Sequence, residues 1–283
     1  MKLIPRRKFI EKKFSNSGLI TLVLLGVSTL FLATGRVAAK NPAPAAGGLK
    51  LNYVPVKKSE HTHLEKLLKD SRLFDRMVAD TNKELVFPVE VPVNFVECAA
   101  IGEKDPVNAY YDPEKHSITM CYELMAKSEE LFKDDEQTPK ELADAVLGST
   151  AWTFYHELGH GLIDIFNIPL TGKNEDAADQ ISTYILLKAG DEGERAALDG
   201  AEDFYREASE DKDLDDIALA DTHSLDKQRF YNIMCWVYGT DEEKYSYLLK
   251  DVPELKDRAE SCKEEFEKMN ESWAKLLAPH TRK

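Results

Sequence analysis

The chain has 283 residues, with 37 Lys+Arg against 51 Asp+Glu and a net charge of -14. Without residues 1–39 the balance becomes 30 against 50, which excludes nucleic acid and anionic membrane surfaces as natural partners and leaves solubility as the ordinary meaning of the charge. The 234 residues from position 50 onward suffice for one domain with its own core.

Lys2, Arg6, Arg7, Lys8, Lys12 and Lys13 precede an uncharged run from Leu19 to Gly35, and Val37-Ala38-Ala39 follows. Basic residues, an apolar stretch and small residues, in that order, predict a secretory signal in residues 1–39 and hence an exported protein, periplasmic or secreted. The run of 17 residues touches the lower limit of roughly 17–25 for a membrane helix, so in the alternative reading residues 19–35 stay as an uncleaved anchor and form the chain's one membrane contact. Residues 40–49, rich in Pro, Ala and Gly, read as a linker to a single domain over 50–283. The four cysteines of an exported chain point to disulfides; three connectivities are open, and the local pairs Cys98 with Cys121 and Cys235 with Cys262 are favoured.

From Ser59 to Asp80, Leu64, Leu67, Leu68, Leu73, Phe74 and Met77 fall at helical spacing among charges, with a break near Ser71. Strands are expected at Leu85-Val86-Phe87, Val91 to Val96, Asn108 to Tyr111 and Ser117 to Tyr122, with a turn at Asp112-Pro113; their succession suggests a small, mostly antiparallel sheet. Thr138-Pro139-Lys140-Glu141 combines an N-cap, a proline at the first helical position and a glutamate three residues after the cap. It opens a helix that runs to about Phe166, where Asn167-Ile168-Pro169 stops it. Further helices are expected at Glu175–Lys188, with Gly190 as terminator, and around Ala201–Ala208, Ser224–Trp236, Glu242–Leu249 and Leu255–Leu277. Strands first and helices afterwards give an α+β class.

Between Ala145 and Ile163 the charged or imidazole side chains are those of His156, Glu157 and His160. A helix so poor in charge is buried on most sides, and a buried glutamate beside two histidines needs a partner such as a metal ion. Residues four apart on a helix point the same way, so His156 and His160 can share one ion. Glu157 projects beside it, where it can take a proton from a metal-bound water. Glu175, early in the next predicted helix, can complete two His and one Glu around a single zinc with a position left for water, and Asp179, one turn on, can accept the free ring N–H of a ligand histidine. Asp164 is a weaker alternative ligand, and Asp176 reads as ordinary acid placement at a helix start. A zinc pattern with a third histidine is excluded by Ile163 and Phe166. His61, His63, His116 and His280 read as surface residues.

His156-Glu157-Leu158-Gly159-His160 followed by Asn174-Glu175-Asp176-Ala177-Ala178-Asp179 resembles the gluzincin, thermolysin-type metallopeptidases. The wider pattern is closer still to a family of secreted bacterial zinc metallopeptidases, largely uncharacterised. It is carried by Asn108 to Pro113, Cys121-Tyr122-Glu123, His156 to Asp164, Glu175 to Gln180, His223-Ser224-Leu225, Gln228-Arg229-Phe230 and Cys235 to Gly239. The resemblance implies a zincin-like fold and hydrolysis of peptide or protein substrates. It also implies an edge strand at Asn108-Ala109-Tyr110 that binds the substrate by strand addition, and a catalytic His223 that stabilises the oxyanion. With 14 residues between His160 and Glu175, the gap is shorter than in the thermolysin pattern. The alternative is a non-catalytic binding module of the cell envelope on the same scaffold.

Overall fold

The computed structural model describes residues 47–134, 138–210 and 220–283. The expected signal or anchor in 1–39, with its apolar run 19–35, lies outside the described residues, as does most of the expected linker. Gly48 and Leu49, at the end of that linker, already belong to a strand, β1 (Gly48–Tyr53). Among the described residues no helix is long and apolar enough to cross a membrane.

After β1 come α1 (Thr62–Ser71) and α2 (Leu73–Glu84), separated at Arg72, whose backbone is left-handed (φ 54°). β2 (Glu90–Val96) follows, then the single turn α3 (Cys98–Ile101), β3 (Ala109–Asp112), β4 (Ser117–Cys121) and α4 (Tyr122–Phe132). The strands order as β1-β2-β4-β3, with β1 and β4 both parallel to β2 and β3 antiparallel to β4. The sheet is therefore mixed and not mostly antiparallel. β1, α1, α2 and β2 form a crossover unit, and helical crossovers deliver parallel neighbours. Leu85–Phe87 is not a strand: Leu85 makes one isolated bridge to Thr281, which ties the C-terminal residues to the end of α2.

The rest is largely helical: α5 (Pro139–Ile165), α6 (Asn174–Lys188), α7 (Asp191–Glu210), α8 (Asp226–Thr240), the short α9 (Leu248–Asp251) and α10 (Ala259–Leu277); the helix expected at Glu242–Leu249 is instead a run of turns up to Leu248. The protein is thus α+β, a small sheet followed by a helical lobe. α5 begins at the Thr138 cap, whose hydroxyl accepts from the Glu141 backbone N–H at 3.2 Å. It ends where Asn167 turns left-handed (φ 50°) and the Ile168 N–H returns to the Ile163 carbonyl. Nearly every residue of α5 from Ala145 to Ile163 is buried, which explains its lack of charge. Phe154 anchors it to the sheet layer through an edge contact with Phe74 of α2 (5.9 Å), and Phe74 meets Phe95 of β2 in turn (4.8 Å).

α6 packs on α5 at very short range. A Cβ on Gly159 would stand 3.1 Å from the Ala178 Cα, so the two backbones meet where both side chains are minimal, and Ser182 donates to the Trp152 carbonyl nearby (2.7 Å). Disulfides join Cys98 to Cys121, tying α3 to the end of β4, and Cys235 to Cys262, tying α8 to α10. These are the two local pairings, and they fit an oxidising compartment.

Candidate metal centre

The close approach of α5 and α6 sets the first turn of α6 against His156 and His160. Glu175 Oε2 lies 3.3 Å from His156 Nε2 and 3.2 Å from His160 Nε2, and the two Nε2 atoms are 3.1 Å apart. Among the described residues this is the group of His, Cys, Asp and Glu side chains whose donor atoms converge closely enough to hold a metal ion.

The ring orientations sharpen the point. His160 Nδ1 donates to Asn174 Oδ1 (2.6 Å), and His156 Nδ1 faces Asp179 Oδ1 (2.8 Å). In neutral imidazoles with the proton on Nδ1, both Nε2 lone pairs would point to one place, beside a carboxylate. Glu175 Oε2 is fully buried, and although ring nitrogens surround it none meets it with hydrogen-bond geometry. A metal ion held between them would satisfy all three donors. Ligand atoms about 2.0–2.1 Å from a tetrahedral zinc stand roughly 3.3 Å from one another, and the three separations observed fit that figure.

Arg229 of α8 completes the support, with Nε and Nη2 on the two oxygens of Asp179 at 2.9 and 2.7 Å. The guanidinium lies on the Phe204 ring (3.9 Å), and the Trp152 ring stacks on His156 (5.4 Å). Burial works against ionising Asp179, but Arg229 and His156 outweigh it and hold the carboxyl below the usual range. Burial likewise opposes charge on His156, yet Asp179 and Glu175 push the imidazole up to about 9. Glu175 is held low by the histidines around it, against its own desolvation.

His223, in the loop before α8, brings Nε2 to 3.1 Å from Glu175 Oε2, while its Nδ1 sits 2.9 Å from Asp221 Oδ1. The Glu175 carboxylate, helped by Asp221, raises its pKa. His223 is half exposed and touches Glu175 without belonging to the group whose donors all converge. Glu157 is 7% exposed, and its carboxylate acts electrostatically on the neighbouring His156.

The other expected site residues lie at the sheet edge. β3 is the end strand, but the polar contacts of Asn108 and Tyr110 lead elsewhere: Asn108 Oδ1 accepts from the Ala109 N–H, and the Tyr110 hydroxyl donates to Glu103 (2.9 Å). Ala109 is buried. The strand reaches α5 through Tyr111, whose ring lies against Gly161, the residue after His160. Asp164 engages Tyr111 and His116 instead of joining the triad, and Asp176 accepts from Ser224 (2.6 Å). Two histidines read as surface residues are otherwise placed: His61 is buried against Glu97 at 3.0 Å, and His280 stacks on Phe166 at 3.9 Å. Sequence reasoning gave no role to Asn174 or Arg229. For Asn174 the signal was its place directly before Glu175; for Arg229 it was a basic residue at the edge of the mostly apolar stretch that begins at Phe230.

Residues 53–277 match the model of a family described as "Putative metallopeptidase". No curated protein and no solved structure matches the chain.

Proposed function

The chain belongs to that metallopeptidase family, and from this premise we propose that it is an exported zinc peptidase whose ion is held by His156, His160 and Glu175. When bound, zinc supplies a Lewis acid that polarises the scissile carbonyl and lowers the pKa of a water towards about 7. Glu157, next to a ligand histidine and nearly buried, is the general base: its carboxylate takes the proton from the attacking water and delivers it to the leaving amine. His223, with Nδ1 facing Asp221 and Nε2 facing Glu175, is favoured as the imidazolium by both carboxylates, and in that form it can stabilise the oxyanion. The free edge of β3 receives the peptide as an added strand through its backbone groups, with Asn108, Ala109 and Tyr110 along it. Asp179 and Asn174 hold the two ring tautomers.

The observation that carries this reading is the convergence of two Nε2 lone pairs and a buried, unsatisfied carboxylate oxygen within 3.3 Å. A non-catalytic binding module would have no use for a carboxylate at position 157. Elemental analysis of the purified protein tests it: one zinc per chain is expected in wild type and in Glu157→Gln and none in His160→Ala, with cleavage of a peptide library by wild type alone. Absence of stoichiometric zinc in folded, zinc-reconstituted protein would overturn it.

A further inference from the structure

Asp164 stands one turn beyond His160, at the C-terminal end of α5, where the helix dipole disfavours negative charge. Helix stability therefore does not account for it, and its contacts do. The Tyr111 hydroxyl donates to Asp164 Oδ2 (2.8 Å) and is met by His116 Nδ1 at 2.8 Å, which itself lies 3.3 Å from Asp164. A hydroxyl has one proton, so Tyr111 gives it to the carboxylate and accepts from the imidazole. His116 closes the turn between β3 and β4 in the left-handed region (φ 48°), a conformation that a non-glycine residue keeps only when its surroundings hold it. Asp112 supports that turn by accepting from the Glu114 and Lys115 N–H groups (3.0 and 3.1 Å). On the helix side, a Cβ on Gly161 would come 3.1 Å from the Tyr111 ring, so the ring rests on the α5 backbone next to a metal-ligand position.

We propose that Tyr111, Asp164 and His116 form a clamp that fixes the edge strand β3 at its working distance from the metal helix, which makes Tyr111 a positioning residue for peptide cleavage. The proposal rests on the peptidase reading above. A peptide added to β3 takes its register from that strand, so its scissile carbonyl is placed only as well as β3 is placed against His156 and His160. Misplacement by about 1 Å can cost on the order of 100-fold in rate.

The test uses the full chain loaded with zinc and compares wild type with Tyr111→Phe, which keeps the ring on Gly161 and removes the hydroxyl, and with Gly161→Ala, which keeps the hydroxyl and crowds the ring. Zinc content should stay at the wild-type level in both. On a peptide that wild type cleaves, kcat should fall about tenfold in Tyr111→Phe, the worth of one lost hydrogen bond. Affinity for the same peptide, measured in the Glu157→Gln background, should change by less than about threefold. Amide exchange in Ala109–Asp112 should quicken by a similar tenfold while β2 keeps its protection. A wild-type kcat in Tyr111→Phe, or a loss of kcat that only follows a loss of zinc, overturns the clamp. So does unchanged exchange in β3, whatever the activity. A zinc-loaded wild type that cleaves no peptide overturns the peptidase reading instead.

Discussion

Two aspartates on neighbouring helices reach α5 from the same lobe and have their pKa values moved in opposite directions. Asp179 of α6 has a bidentate guanidinium on one side and an imidazole on the other, and it is held ionised. Asp203 of α7 accepts from two hydroxyls, Ser128 of α4 (2.7 Å) and Ser149 of α5, and has no ion pair among the described residues. Burial pushes its pKa up; the two hydroxyls, and Arg206 and Lys127 at longer range, pull it down without cancelling the effect. The difference teaches that burial on this helix does not decide charge. Partners set the direction of the shift, and the aspartate held low is the one beside His156.

The largest expected effect comes from making the first aspartate resemble the second. Arg229→Met leaves Asp179 buried without its cation and should cost about 3–5 kcal/mol in urea denaturation of the metal-free protein. Next in size, Asp179→Asn should weaken zinc binding roughly 10–100-fold in a competition titration, because the His156 ring loses the acceptor that fixes its tautomer. Asp203→Asn should leave stability at neutral pH within about 1 kcal/mol of wild type, on the stabilised side, since the amide oxygen can still accept from both serines. Its signature is in the pH dependence. A carboxyl whose folded pKa is raised above the ordinary 3.8 contributes stability that is complete below that value and is lost as pH rises through the folded pKa. Thermal midpoints from pH 3.5 upward should therefore lose this downward component in the variant. Asp179, depressed, has the reverse sign: its contribution is present above 3.8 and is lost as pH falls through the folded value. The smallest effect is expected at the exposed Lys66–Asp70 pair of α1, where Lys66→Ala should change stability by no more than about 0.5 kcal/mol.

The features read correctly from the sequence share one property, which is that local chemistry sets them. The Thr138 cap, the proline after it and the stop at Asn167 need only neighbouring residues, and so does the break at Arg72. The convergence of His156, His160 and Glu175 was legible because four-residue spacing on one helix and a short return to the next leave few ways to arrange them. What stayed hidden depends on contacts distant in sequence. β1 follows a stretch of Pro, Ala and Gly and carries one buried residue, Leu49, so its start reads as linker and the rest shows no strand pattern; without it the β1-α1-α2-β2 crossover vanishes and the sheet looks like a meander of hairpins. α4 was missed because its first residue, Tyr122, continues the alternation of β4. Arg229 stands 50 residues from Asp179, and no local pattern announces their pairing.

The backbone contact between Gly159 and Ala178 has a meaning for how the chain can change over time. The α5–α6 spacing that brings Glu175 to the histidines leaves room for a hydrogen on one side and a methyl on the other. A larger residue at either position would wedge the helices apart and separate the donors. Positions 159 and 178 should therefore drift together among relatives that keep the centre, any gain in volume at one matched by a loss at the other, and a relative that breaks this balance should also have lost the pair of histidines.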